Sequence, residues 1–303
     1  MSQTLSKEQL KTLCNAAIQA AQEAGRWIEK FDRNNLKYDF KNAGSSEASQ
    51  LVTEVDIASE QIIRSHLQNI PLPIDIAFVG EESSLTGSNQ AQERFEKPYF
   101  WCVDPLDGTL PFVEGRSGYA VSIALIEHSG KPLIGVVYDP THQVLYHAIA
   151  GQCSYRGLTR FTQIKRHATS LEVHADASFK THSKYESTVT TLENCAQTLS
   201  LNNVKFIYGS GAVKNACHVI DSTQACYLKL PKDHDGGGSI WDFAATACIA
   251  QEAGAWASNI YGQPLALNHR ESTFMNHEGV IFASNDQIAH CIIDALKSGS
   301  DAR

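Results

Sequence analysis

A chain of 303 residues with 43% hydrophobic and 19% charged residues buries a sizeable core in one or two domains, which excludes a disordered or fibrous protein. A net charge of −8 without any run of Lys or Arg excludes a basic surface for a nucleic-acid polymer. The eight cysteines form no Cys-x-x-Cys pair, no apolar run approaches the roughly 18 residues of a membrane span, and no basic-then-apolar leader opens the chain, so a cytoplasmic protein with reduced thiols and no membrane partner is expected.

Residues 5–31 read as an amphipathic helix, with Leu10, Leu13, Ala17, Ala21, Ala24 and Ile28 on one face and Ser6 to Gln9 as a capping box. A polar stretch over 42–50 separates it from a second helix over 53–70, stopped by Pro71 and Pro73. Thr53 and Asp56 make a Thr-x-x-Asp cap at its start, and spacing alone gives Asp56 that structural job. A short strand over 74–79 then runs into Gly80-Glu81-Glu82-Ser83, which places two carboxylates just past a strand's carboxyl end. On their own these glutamates read as a solvated turn, and residues 84–98 as an exposed loop.

The chemistry concentrates in residues 100–112, where an apolar, β-favouring run delivers Asp104-Pro105-Leu106-Asp107-Gly108-Thr109. Pro105 fixes its own φ and biases Asp104 towards extended geometry, so the two carboxylates converge. Unit charges about 4 Å apart repel by roughly 1 kcal/mol in water and about 4 kcal/mol at an effective dielectric of 20. No basic residue lies between Lys97 and Arg116, so a hard divalent ion with oxygen ligands is the natural guest. Gly108-Thr109 then opens a helix entry suited to cradling a phosphate. Asp-Pro and Asp-Gly are also ordinary turn dipeptides, and for a lone match that plainer reading is the commoner one.

Three strands follow, over 119–127, 132–138 and 143–149, joined by turn signals into an antiparallel meander. Residues 1–160 are thus expected to form an α+β half with an antiparallel sheet. From about residue 165 strands and helices alternate: 171–175, 184–200, 204–208, 211–221, 225–230 and 239–253, with strands near 255 and 280 and a last helix from 285. This pattern gives residues 161–303 as an α/β half with a mixed sheet. Ser239 and Asp242 open one of those helices as another capping pair, where an acidic side chain is favoured by the macrodipole whatever its function.

Taken in order, Leu-Val-Thr-Glu-Val-Asp56, Gly-Glu81-Glu82-Ser, Asp104-Pro-Leu-Asp107-Gly-Thr109 and Trp-Asp242-Phe-Ala-Ala resemble the inositol monophosphatase superfamily of metal-dependent, lithium-sensitive phosphatases. That superfamily includes 3′(2′),5′-bisphosphate nucleotidases and fructose-1,6-bisphosphatases. The resemblance spans the chain from the first helix to about Leu267 and implies an αβαβα layered sandwich. It implies that Glu81, Asp104, the Leu106 carbonyl, Asp107 and Asp242 ligate two or three Mg²⁺ ions. It implies further that Gly108 and Thr109 hold phosphate, that Asp56 and Thr109 orient the attacking water, and that Glu82 sits beside the metals. Dimers are common in such a family, and a homodimer is expected here by that analogy alone.

Substrate choice is where the chain departs from its relatives. Leu110-Pro111 follows Asp-Gly-Thr, where nucleotidases carry Lys and inositol monophosphatases carry Thr-Asn. Lys214 and Arg270 are candidates for a second phosphate, and Gly209-Ser210 either lines the leaving-group pocket or caps the following helix. The twelve histidines have no zinc spacing, and His234 is the one nearest the expected site. The expected activity is Mg²⁺-dependent hydrolysis of a small phosphorylated metabolite such as an inositol phosphate. Its alternatives are a nucleotidase acting on adenosine 3′,5′-bisphosphate and a non-catalytic metal- or phosphate-binding regulator.

Overall fold

A computed structural model of the chain describes residues 4–35, 38–40, 51–85, 90–162 and 167–300. The polar stretch over 42–50 lies outside them, as do residues 86–89 of the expected 84–98 loop. Helix α1 (Lys7–Lys30) begins where the sequence places it, with the Gln9 amide donating to Ser6 Oγ at 3.2 Å and the Ser6 amide to Gln9 Oε1 at 2.8 Å. Helix α2 (Glu54–Gln68) follows a small antiparallel pair, β1 (Tyr38–Phe40) with β2 (Leu51–Thr53), that the sequence pattern did not announce.

The first sheet has seven strands lying side by side in chain order: β3 (Ile76–Gly80), β4 (Tyr99–Asp107), β5 (Ala120–Glu127), β6 (Pro132–Asp139), β7 (Val144–Ile149), β8 (Cys153–Arg156) and β9 (Thr159–Phe161). It corrects the expected antiparallel sheet on two points. β3 pairs parallel to β4, and the meander runs on through β8 and β9, which are too short and polar to show as apolar runs. The connection from β3 to β4 holds the short helices α3 (Glu81–Leu85) and α4 (Gln90–Glu93). Arg94, placed in an exposed loop by the sequence pattern, is instead buried and donates to the His269 carbonyl at 3.0 Å. After β4 comes the single-turn helix α5 (Thr109–Val113).

The second sheet is mixed as expected, in the order β11–β10–β12–β14–β13, from β10 (Ser170–His174), β11 (Asn203–Ile207), β12 (Ala225–Lys229), β13 (Trp256–Ser258) and β14 (Val280–Ala283). Its helices are α6 (Tyr185–Thr198), α7 (Ala212–Asp221), α8 (Ile240–Ala253) and α9 (Asp286–Ser300). The layers are α1 and α2, the first sheet, α7 and α8, the second sheet, then α6 and α9, an αβαβα sandwich. The middle layer explains why α8 is apolar almost all round, from Ile240 through Phe243 and Ile249 to Ala253. It also explains why β4 is an unbroken apolar run: Phe100 and Cys102 pack towards α8, while Trp101 and Val103 pack towards α1 and α2.

Helix α8 crosses β6 at Gly135, where an added Cβ would come within 2.2 Å of the Ala245 carbonyl oxygen. Gly135→Ala is expected to lower unfolding stability by about 1–3 kcal/mol, the usual cost of overpacking. Urea denaturation with an unchanged midpoint would contradict this close crossing.

Candidate active site

Strand parity aims the first carboxylate. Residues 100, 102 and 104 share the face turned to the middle layer, so Asp104 points at the start of α8. Plain alternation would turn Asp107 to the opposite face. Instead the pairing with β5 slips between Asp104↔Ser122 and Asp107↔Ala120, three residues against two, and the extra residue returns Asp107 to the same side. Asp104 is held by its own turn, the Leu106 amide donating to Oδ1 at 3.0 Å. Asp107 is held by the start of α7, whose Ala212 and Val213 amides donate to it at 3.0 and 2.9 Å. Gly211 is required there, because a Cβ would come within 2.3 Å of Asp107 Oδ2. Asp242, in the first turn of α8, accepts from the Ser239 amide at 2.7 Å, so its capping role is fulfilled.

One oxygen from each of Asp104, Asp107 and Asp242 lies within 4.8 Å of the others. Burial, then the charges of Glu81, Asp107 and Asp242, push the Asp104 carboxyl well above its usual range. Burial and Asp242 do the same to Asp107 against the pull of the two α7 amides. Asp242 is pushed up to about 6 by burial and Glu81, with Lys229 pulling the other way. Glu81, at the first position of α3, is therefore near enough to act on two of the three, although it stands outside the tight triad. Three crowded, half- to fully buried carboxylates with only oxygen donors suit a hard divalent cation, which would relieve the strain that raises their pKa values.

Beside the triad, Asp56 does two things at once. Its Oδ2 accepts from the Thr53 amide at 2.9 Å as a helix cap, and its Oδ1 lies 3.0 Å from Thr109 Oγ1. Thr109 Oγ1 is also 3.2 Å from the Leu106 carbonyl oxygen. Gly108 adopts φ +86°, and a Cβ there would meet the Gly118 carbonyl oxygen at 2.7 Å. That carbonyl accepts from the Gly211 amide at 2.8 Å, which brings Gly209 and Ser210 against the Gly108–Gly118 turn. Glu82 is buried next to Glu81 and donates its amide to Glu60 at 2.8 Å.

Lys214, a candidate for a second phosphate, is engaged within the fold: its Nζ lies 2.5 Å from Asp139 Oδ2 at the end of β6, and both side chains are buried. Burial alone would raise the Asp139 carboxyl, but Lys214 holds it below its usual value. Arg270 lies over the Phe95 ring, 5.7 Å from its centroid, and His234 is exposed. The cation beside the site is one that sequence reasoning passed over. Lys229, at the end of β12, puts Nζ 2.6 Å from Asp176 Oδ2, and that Asp176 also accepts from Tyr227 Oη at 3.3 Å and Asn215 Nδ2 at 3.2 Å. Burial lowers the Lys229 pKa, yet Asp176, Asp242 and Asp107 together carry it above the ordinary value. In the sequence Lys229 stands inside the expected strand over 225–230, where nothing marks it as a neighbour of the carboxylates.

Residues 9–299 match the model of the inositol monophosphatase family. The chain belongs to that family. It is 31% identical over 288 residues to inositol monophosphatase 2 of Solanum lycopersicum, covering 95% of this chain and 98% of the relative. It is 32% identical over 231 residues to the 3′(2′),5′-bisphosphate nucleotidase CysQ of Shigella flexneri, covering 74% and 82%. The fold matches that of the extragenic suppressor protein suhB from Bartonella henselae with a TM-score of 0.71 at 24% identity, over 94% of this chain and 98% of the other. The protein is accordingly a metal-dependent phosphomonoesterase of the inositol monophosphatase family acting on small phosphorylated substrates, not a non-catalytic regulator. No helix among the described residues is long and apolar enough to cross a membrane.

Because Asp104, Asp107 and Asp242 carry raised pKa values in the folded, metal-free protein, the folded state holds more protons than the unfolded one. These groups therefore cost stability as pH rises from the ordinary carboxylate value of 3.8 through about 6 and beyond. Without divalent ions, Asp104→Asn is expected to melt higher than the parent at pH 8, with the gap closing towards pH 4. Equal melting temperatures in EDTA at pH 8 would contradict the crowding.

Proposed function

We propose that the protein is a Mg²⁺-dependent phosphatase that releases inorganic phosphate from an inositol phosphate or a similar small polyol phosphate. The observation that carries this reading is the convergence of Asp104, Asp107 and Asp242 beside the Asp56–Thr109 pair. Asp104, Asp107 and Asp242, with Glu81 and the Leu106 carbonyl, would hold two or three Mg²⁺ ions. Bound there, the metal supplies water acidified towards neutral pH and offsets phosphoryl charge. Asp56 accepts from Thr109 and leaves that hydroxyl oriented to hold the attacking water. Backbone amides of the Gly108–Thr109 turn take the phosphate, Gly209 and Ser210 border the leaving group, and Glu82 supports the metal side. Residues 1–160 and 161–303 act as two halves of one catalytic unit. The eight free cysteines fit a cytoplasmic setting, and the family likeness supports a homodimer and inhibition by millimolar Li⁺.

A second reading, a 3′(2′),5′-bisphosphate nucleotidase, is favoured by the 32% identity to the bisphosphate nucleotidase CysQ over 74% of this chain, while Lys229 beside the carboxylates is already paired with Asp176. Phosphate release from inositol-1-phosphate and from adenosine 3′,5′-bisphosphate, measured side by side with Mg²⁺, separates the two readings. Preference for the first supports the polyol reading, and preference for the second replaces it. Full turnover in excess EDTA contradicts both.

Thr109→Ala is expected to lower kcat by about a hundredfold, the typical worth of a group that positions a proton or water. Its Mg²⁺ binding by calorimetry should match the parent. An unchanged kcat would remove Thr109 from the chemistry.

A further inference from the structure

Helix α2 carries a second buried carboxylate one turn beyond Asp56, and its partners belong to a different part of the site. Glu60 is 5% exposed, and it accepts the Glu82 amide at 2.8 Å through Oε2 and the Ser83 amide at 3.1 Å through Oε1. Those two amides are the second and third of α3, the five-residue helix whose first residue is Glu81. A helix that short leaves its first amides without partners inside the helix and is marginal by itself. Glu60 reaches across 22 positions to supply the acceptors that a local capping residue would otherwise provide. The residue that precedes α3 cannot cap it with a side chain, because Gly80 lies so close that a Cβ there would meet Glu60 Oε2 at 2.2 Å. The strand end, the glycine and the glutamate are fitted to one another.

We infer that Glu60 is a positioning residue for the metal centre: by holding the start of α3 it sets where the Glu81 carboxylate stands relative to Asp104 and Asp242. Helix α2 then registers both sides of the site. Asp56 ties it to Thr109 at the phosphate turn, and Glu60, four residues on and on the same face, ties it to the Glu82 and Ser83 amides that follow Glu81. Arg64, one further turn along, places Nη2 3.6 Å from Glu60 Oε1 and lies over the Phe78 ring of β3, which braces the glutamate from behind. Glu60 itself touches neither substrate nor metal in this scheme.

The inference rests on the reading of Glu81 as a metal ligand, and the test keeps the two apart. Mg²⁺ binding to the metal-free protein is titrated by calorimetry for the parent, Glu60→Gln and Glu60→Asp, together with melting temperature in EDTA and kcat at saturating Mg²⁺. Glu60→Gln keeps one acceptor oxygen and loses the charge; Glu60→Asp keeps the charge but is one methylene too short to span both amides. Both variants are expected to bind Mg²⁺ about tenfold more weakly, the usual cost of removing a group that orients a ligand, while kcat at saturation stays within about threefold of the parent. If the variants melt lower but bind Mg²⁺ as the parent does, Glu60 only stabilises the fold and the inference is overturned. If Glu60→Gln does not fold, Glu60→Asp carries the comparison. A parent that binds no Mg²⁺ would overturn the metal reading itself, and this inference with it.

Discussion

Three carboxylates crowded into one buried pocket are the constraint around which this chain is built. Asp104 and Asp107 come from the end of one strand and Asp242 from a helix that begins more than a hundred residues later, yet their oxygens lie within 4.8 Å of one another. At an effective dielectric near 20, each pair at about 4 Å costs about 4 kcal/mol, a large fraction of the stability of an ordinary domain. Side chains free to turn away would do so. These cannot, because each is pinned by backbone amides: Asp104 by Leu106, Asp107 by Ala212 and Val213, and Asp242 by Ser239. The amides belong to a turn and to helix starts, so they are part of the scaffold and do not move with the carboxylates.

The layered architecture makes that pinning feasible. Helices α7 and α8 form the middle layer and start at the carboxyl end of β4, so their first turns face the strand that carries Asp104 and Asp107. The β4 bulge corrects the parity of Asp107, and Gly211 and Gly238 clear the approach: a Cβ at Gly238 would meet Asp242 Oδ2 at 2.5 Å. Asp56 and Glu60 extend the same device to the flank of the site, where one helix face fixes both the Thr109 hydroxyl and the start of α3. Lys229 and Asp176 close the opposite side as an ion pair.

Most of the elements were legible because their periods differ sharply. The alanine-rich face of α1, the apolar run of β4 and the alternation beyond residue 165 all specify their structures locally. Asp56 and Asp242 were legible as helix caps, and each caps with one carboxylate oxygen, which leaves the other Asp56 oxygen to meet Thr109. What stayed hidden depends on partners distant in sequence. Glu60 reads as one more polar residue on a helix until Glu82 and Ser83 are placed over it. Lys214 reads as a surface or phosphate-binding lysine until Asp139, 75 positions away, is found beneath it. Arg94 and the strands β8 and β9 sit in stretches whose polarity hides their pairing.

Anomalous diffraction from crystals soaked in Mn²⁺, a stand-in for Mg²⁺ with the same preference for oxygen ligands, would show whether the three carboxylates hold a cation together. At least one strong peak bonded to oxygens of Asp104, Asp107 and Asp242 together is expected, with the backbone of β4, α7 and α8 unmoved. Well-ordered crystals with no peak at those three carboxylates, or with Asp242 turned away from the other two, would contradict that expectation.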